Sequence, residues 1–201
     1  MYISCSHAIL KGVTTTARNV PDKKTAILES TIKVLRERGL SGLKVEEVAR
    51  RAEVGKGTVY LYFERKQDIL KALVEHNTMQ FYADAAAITE GDGPFRERLE
   101  NLLQRRLEFV DDWRGLWSAV AREATSPEDQ KAWLKGLHQH YQSVLERFVQ
   151  SGIDSGELRR DLDVPLTAGA LAALGCSPQL DFPRQKFLKT ITEVFMKGVS
   201  E

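Results

Sequence analysis

From Asp22 onward, apolar residues recur at three- and four-residue intervals, and no strand-like alternation of useful length appears, so the chain is expected to be all-α. A first helix should run from near Asp22 to a stop at Gly39, with Ile27, Ile32, Val34 and Leu35 inward. Val45, Val48, Ala49 and Ala52 fall at i, i+3, i+4 and i+7 and mark a short second helix, with Glu46, Glu47, Arg50 and Arg51 opposite. A third, of about two turns, carries Val59 and Phe63. A long helix then begins at Lys66, carries Ile69, Leu70, Leu73, Val74, Asn77 and Phe81 inward, and stops before the breakers Gly91, Asp92, Gly93 and Pro94. Pro94 opens a helix with Phe95, Leu99, Leu102, Leu103, Leu107, Phe109 and Val110 on a broad stripe. A shorter helix is expected over Trp113–Glu123. Ser126, Pro127, Glu128 and Asp129 give cap, first-turn proline and first-turn acids for a long amphipathic helix ending near Gly152. Two more follow: Pro165–Gly175, crowded with small residues, and a last helix opened by Pro183.

The second and third helices are joined by a tight turn. Ala49 and Ala52 leave room for a close crossing, over which Val54, Val59 and Phe63 would close. Helix, tight turn and second helix is the frame in which the second member enters the DNA major groove and the first braces it across the backbone. With Val59 and Phe63 inward, Lys56, Thr58, Tyr60 and Tyr62 remain outward, all able to hydrogen-bond phosphates or base edges. Gly57 lets the backbone approach DNA closely. Lys44 precedes the bracing helix, and Lys66 stands at the start of the long helix, where its ammonium and free N–H groups would hold a phosphate.

The run VEEVARRAEVGKGTVYLYFERKQDIL resembles the DNA-binding segment of the TetR family of bacterial regulators. The resemblance rests on Val48-Ala49, Thr58-Val59-Tyr60, Tyr62-Phe63 and Lys66, and covers about a quarter of the chain. There are three departures. Glu53 stands where such a turn usually has Gly, Gly55 replaces the usual Ser or Thr cap of the recognition helix, and Lys44 replaces the Thr that commonly caps the bracing helix. The resemblance implies operator binding by a dimer, with the last two helices forming a four-helix bundle with those of a second subunit, and a small-molecule sensing role for the larger domain.

At 201 residues and 42% hydrophobic content the chain can bury a sizeable core. The net charge of +1 says little, but residues 22–75 hold 12 basic and 9 acidic side chains whereas residues 76–201 hold 15 and 19. This asymmetry favours a nucleic-acid-facing front end. Cys5 and Cys176 belong to no metal spacing, residues 1–20 carry no signal-peptide pattern, and no stretch is long enough to span a membrane. A reduced, cytoplasmic protein without membrane association is the expectation.

The expected organisation is a flexible tail over 1–20, a helix-turn-helix domain over 21–66, and a helical effector-binding and dimerisation domain over 67–201. Phe81, Leu103, Trp117, Trp133, Leu137 and Tyr141 are candidates to line a pocket for a hydrophobic or aromatic effector, against the plain reading that aromatic residues at helical spacing fill a bundle. Ala168, Ala172, Phe187, Ile191, Val194 and Phe195 are either ordinary core or, as the resemblance implies, the homodimer interface. Enzymatic chemistry finds no support: His138 and His140 are two apart on a helix and diverge, and no phosphate-cradling glycine loop, nucleophile elbow or cysteine cluster exists, so neither cofactor nor metal is expected. The reading is a repressor of double-stranded operator DNA released by its effector. The alternative is a helical interaction module that has lost DNA binding, suggested by Glu46 and Glu47 near the expected DNA side.

Overall fold

The computed structural model describes residues 22–112, 120, 123, 127–174 and 183–200, except for the side chains at 112, 127–134 and 137. Among the described residues there are eight helices and no strand: α1 (Lys23–Arg38), α2 (Val45–Arg51), α3 (Lys56–Tyr62), α4 (Lys66–Glu90), α5 (Phe95–Asp112), α6 (Pro127–Asp154), α7 (Val164–Leu174) and α8 (Arg184–Val199). The expected tail over 1–20 and most of the helix expected over Trp113–Glu123 lie outside the described residues, as do Ser126, Cys5 and Cys176.

Two cores form. Around the N-terminal one, α1 gives Ile27, Leu28, Val34 and Leu35, α2 gives Val48 and Ala49, and α3 with its exit gives Val59 and Phe63. This core reaches past Lys66, where the division was expected. Ile69, Leu70, Leu73 and Val74 of α4 are buried in the same core, and so is Val120, from well beyond α5. The second core starts at Phe81 and joins α4, α5, α6, α7 and α8 through Phe95, Leu99, Leu103, Leu145, Phe148, Ala168, Ile191 and Phe195, among others. Thus α4 belongs to both, and the half-buried Phe109 of α5 packs against both.

Local chemistry explains the element ends. Gly39 adopts φ +66° and its N–H donates to Leu35 O at 2.9 Å, closing α1 with Arg36 and Arg38 in its last, dipole-negative turn. The Arg65 N–H donates to the Asp68 carboxylate at 2.9 Å, fixing the entry to α4. A distant carboxylate caps α5: the Phe95 N–H donates to Glu157 Oε2 at 2.7 Å. The helix expected to stop near Gly152 continues to Asp154, and Gly156, at φ +77°, makes the turn instead. Gly152 has another duty. A Cβ there would lie 2.7 Å from Phe95 Cδ2 and 2.8 Å from Leu158 Cγ, so its missing side chain is what lets α6 meet α5 and the Leu158 connection. Ile32, expected inward, is half-buried, while Leu28 and Thr31 take the inner positions and the Thr31 hydroxyl donates to Ile27 O at 2.8 Å.

Candidate nucleic-acid interface and effector core

The turn between α2 and α3 is a Schellman closure. Glu53 N–H donates to Arg50 O at 3.3 Å and Val54 N–H to Ala49 O at 3.0 Å, the pairing that ends a helix through one left-handed residue. That residue is Glu53, with φ +55°, the single non-glycine positive φ among the described residues. The departure seen in the sequence is therefore a strained site, since a Cβ in this region costs about 1–2 kcal/mol. The other two departures are also visible: Gly55 and Lys44 stand at the N-cap positions of α3 and α2 with no side-chain cap bond.

α3 is anchored by few residues and open elsewhere. Val59 is fully buried and Phe63 nearly so, whereas Tyr60, Leu61 and Tyr62 are 45%, 85% and 41% exposed. Lys44, Lys56 and Gly57 are exposed as well, and Thr58 is half-buried. A Cβ built on Gly57 would meet nothing within 4 Å, so that side of the turn is unobstructed. The outward set expected from the sequence is thus brought together on one short helix, with Leu61 added. Leu61 was legible as the residue between two outward tyrosines, but an apolar type gave no reason to place it outside.

The cations around this helix have protein partners. Lys56 Nζ lies 2.5 Å from Glu46 Oε1 and 5.8 Å from the centre of the Tyr60 ring. Lys66 has a backbone partner as well: its Nζ donates to Leu40 O at 3.2 Å, tying the first turn of α4 to the α1–α2 connection and leaving the ammonium's other two N–H groups. On the bracing helix, Glu47 accepts from Arg50 at 2.9 Å and Arg51 at 2.7 Å, and Arg51 also holds Glu37 of α1 at 2.6 Å. Hydrogen bonds from Arg50 and Arg51 hold the Glu47 carboxyl at about 2, well below its ordinary value. This network locks α2 to the end of α1 and so sets the platform on which α3 sits.

In the second core, three of the six expected effector residues are described by their side chains. Phe81, Leu103 and Tyr141 are buried together. Trp117 lies outside the described residues, as do the side chains of Trp133 and Leu137. The aromatic cluster is larger than expected. Phe81 stacks on Phe109 at 4.7 Å and approaches Tyr141 at 5.2 Å, while Tyr82 stacks on Tyr141 at 5.6 Å. The Arg106 guanidinium lies 5.3 Å from the Phe81 ring centre, 5.5 Å from that of Tyr141 and 5.8 Å from that of Phe109. Beside it Arg105 holds Asp84 at 2.8 Å. Burial pushes the Tyr82 phenol up to about 12, a shift that the Arg106 charge works against. Arg106 had a signal in the sequence: it sits three residues after Leu103 and three before Phe109, on the register that the apolar stripe of α5 reserves for hydrophobes.

The residues expected at a dimer interface divide. Ala168, Ile191 and Phe195 are buried in the protomer's own core, where α7 packs on α6 and α8 on α5. Ala172 and Phe187 are half-buried and Val194 is 61% exposed. Leu166, not anticipated, is 73% exposed on α7. His138 and His140 are both exposed on α6, with the His140 ring 5.1 Å from that of Tyr82. No group of three metal-ligating side chains occurs among the described residues, and none of their helices is long and apolar enough to cross a membrane.

Two family models match the chain. Bacterial regulatory proteins of the tetR family match residues 27–73, and the tetracyclin repressor-like C-terminal domain matches residues 92–177, together about two thirds of the chain. The fatty acid metabolism regulator protein of Bacillus subtilis is 26% identical over 145 residues, 72% of this chain and 75% of that protein. Among solved structures, a TetR/AcrR-family transcriptional regulator from Thermobifida fusca superposes with a TM-score of 0.68 at 23% identity, covering 89% of this chain and 98% of that one. FadR from Bacillus subtilis, in complex with stearoyl-CoA, superposes with a TM-score of 0.61 at 19% identity, covering 86% and 95%.

Proposed function

The chain belongs to the TetR family of DNA-binding transcriptional regulators, which are not enzymes, and on that premise we propose a dimeric repressor that an acyl thioester or a similar hydrophobic anion releases from its operator. α3 is the helix that enters the major groove, with Thr58, Tyr60 and Tyr62 toward bases or phosphates and Lys44, Lys56 and Gly57 at its margins. Two copies joined through the exposed parts of α7 and α8, including Val194 and Leu166, would set two such helices about 34 Å apart and add their affinities.

The observation that carries the reading is the double membership of α4. Its first turns are core of the helix-turn-helix domain, and from Phe81 onward it is core of the aromatic cluster. A ligand wedged among Phe81, Tyr82, Phe109 and Tyr141 would displace a 25-residue rod whose other end fixes α3. Ligand that fits only the displaced arrangement draws the population toward it. A tenfold loss of operator affinity needs about 1.4 kcal/mol of differential binding, well within what one partly seated acyl chain supplies at about 0.8 kcal/mol per buried methylene. The effector class is supported by the stearoyl-CoA held by the Bacillus subtilis FadR and by the cations Arg105 and Arg106 flanking the apolar cluster.

The test is a titration of DNA from upstream of the protein's own gene, at two salt concentrations, with and without stearoyl-CoA and a short-chain acyl-CoA. Salt-dependent binding weakened at least tenfold by one thioester is expected. Binding that neither thioester changes refutes the effector assignment, and binding that does not respond to salt refutes the assignment of α3.

A further inference from the structure

One ion pair on the open side of α2 and α3 plays no part in the scheme above. Glu46 lies in the first turn of α2 and Lys56 opens α3, and their side chains, 63% and 51% exposed, meet across the two helices at 2.5 Å. Glu46 stands apart from the Glu47 network, whose carboxylate turns to Arg50, Arg51 and Arg38. The Lys56 ammonium is next to Tyr60, the most central of the outward aromatic groups. Each partner favours the charged form of the other, lowering the Glu46 carboxyl and raising the Lys56 ammonium from their ordinary values.

We propose that Glu46 is a specificity-determining residue for DNA binding, because it holds the Lys56 ammonium on the protein until α3 is seated in its operator. The inference rests on α3 being the helix that meets DNA. An exposed pair of this kind adds little to stability, so its purpose is not to hold α2 and α3 together; Val48, Ala49, Val59 and Phe63 already do that. Its effect on DNA is larger. Sequence-independent binding comes almost wholly from cations that displace counterions from phosphates. While the pair is closed, Lys56 makes no such displacement, and the carboxylate beside it faces the phosphates with the wrong sign. When Tyr60 and its neighbours engage their bases, the backbone is brought to the start of α3 and Lys56 exchanges Glu46 for a phosphate oxygen. The pair therefore lowers affinity for random DNA while leaving the seated complex its contact.

The experiment measures affinity against salt for wild type, Glu46→Gln, Lys56→Gln and the double variant, on a random-sequence duplex and on the DNA upstream of the gene. Folding is checked by circular dichroism, and exposed positions of this kind leave it intact. On random duplex, Glu46→Gln should bind more tightly, with a slope of log affinity against log salt steeper by about 0.9 per subunit, which is about 3.5-fold more affinity lost over a fourfold rise in salt. On the operator its slope should equal that of wild type, while Lys56→Gln should make the operator slope shallower by a similar amount. The double variant should lose the gain on random duplex. An unchanged random-duplex slope for Glu46→Gln overturns the inference, as does a gain that persists in the double variant, where the carboxylate would be acting without Lys56. If wild type itself shows no salt-dependent binding, the assignment of α3 falls first; if wild type binds and Glu46→Gln matches it, only this inference falls.

Discussion

Replacing Glu53 by glycine should stabilise the protein, and the size of the gain follows from one backbone angle. Glu53 has φ +55° at the left-handed position of the Schellman turn that ends α2. A Cβ in that conformation costs about 1–2 kcal/mol, and glycine removes it. Against this, glycine gives the unfolded chain more freedom, worth about 0.5–1 kcal/mol. The side chain is exposed and forms no hydrogen bond or ion pair among the described residues, so no such contact is lost there. The net expectation is a gain of about 0.5–1 kcal/mol, near 2 °C in midpoint for a chain of this size. Glu53→Ala is the control, because it removes the carboxylate and keeps the Cβ. Urea or thermal unfolding followed by circular dichroism should rank Gly above Ala, with Ala within a few tenths of a kcal/mol of wild type. If Gly and Ala are equally stable, the turn carries no strain and the left-handed assignment is wrong. If Ala alone accounts for the gain, repulsion among charges at the turn was the cause.

Glu47→Gln should flatten the acid limb of stability. The folded-state carboxyl is held at about 2 against an ordinary 4.5, so its contribution is complete above the ordinary value and is lost as pH falls toward about 2; midpoints of wild type and variant measured across that window should converge at the acid end. Two glycines of α6 should respond with opposite signs. Gly152→Ala sets a methyl 2.7 Å from the Phe95 ring, itself stacked 4.2 Å from Phe148, and should cost about 1–3 kcal/mol, whereas Gly136→Ala has nothing within 4 Å and should gain about 0.5–1 kcal/mol in helix propensity, both read from unfolding midpoints. Phe109→Ala should uncouple the two cores at a cost of about 2 kcal/mol. Circular dichroism, which sees all helices, and fluorescence from Trp113, Trp117 and Trp133, all after α5, should give coincident transitions in wild type and separate ones in the variant.

Periodicity made the helices legible because each buries one stripe, and the stripe leaves a 3.6-residue mark whatever it packs against. The outward set on α3 was legible for the same reason: once Val59 and Phe63 are inward, the remaining positions face out. What sequence could not convey was which stripe meets which. Ala168, Ile191 and Phe195 have the pattern of an interface, and the structure seats them in the protomer's own core. Burial by the same chain and burial by a second copy impose the same residue types. Similarly, an apolar run gave no cause to suspect that Leu61 stands 85% exposed. Partners distant in sequence were equally hidden. Nothing near Phe95 announces that the Glu157 carboxylate caps α5, and nothing near Lys66 announces its bond to Leu40.

The same limit bears on where the helix-turn-helix domain ends, and the answer decides whether the two halves can communicate at all. A boundary at Lys66 follows the break before α4, yet the N-terminal core draws Ile69, Leu70, Leu73 and Val74 from beyond it, each at most 2% exposed. Full burial of such side chains is worth about 1.5–3 kcal/mol apiece, so the four contribute about 6–12 kcal/mol. A domain of this kind has a total stability of about 5–15 kcal/mol. A fragment of residues 22–66 should therefore be unfolded, and one extended to residue 75 or beyond should regain cooperative melting by circular dichroism. That dependence is also the path of regulation. If the helix-turn-helix core cannot close without the first turns of α4, displacement of α4 at Phe81 must be felt at α3. A folded 22–66 fragment would mean that α4 merely leans on a finished domain, and movement at the aromatic cluster would then have no obligatory route to the DNA.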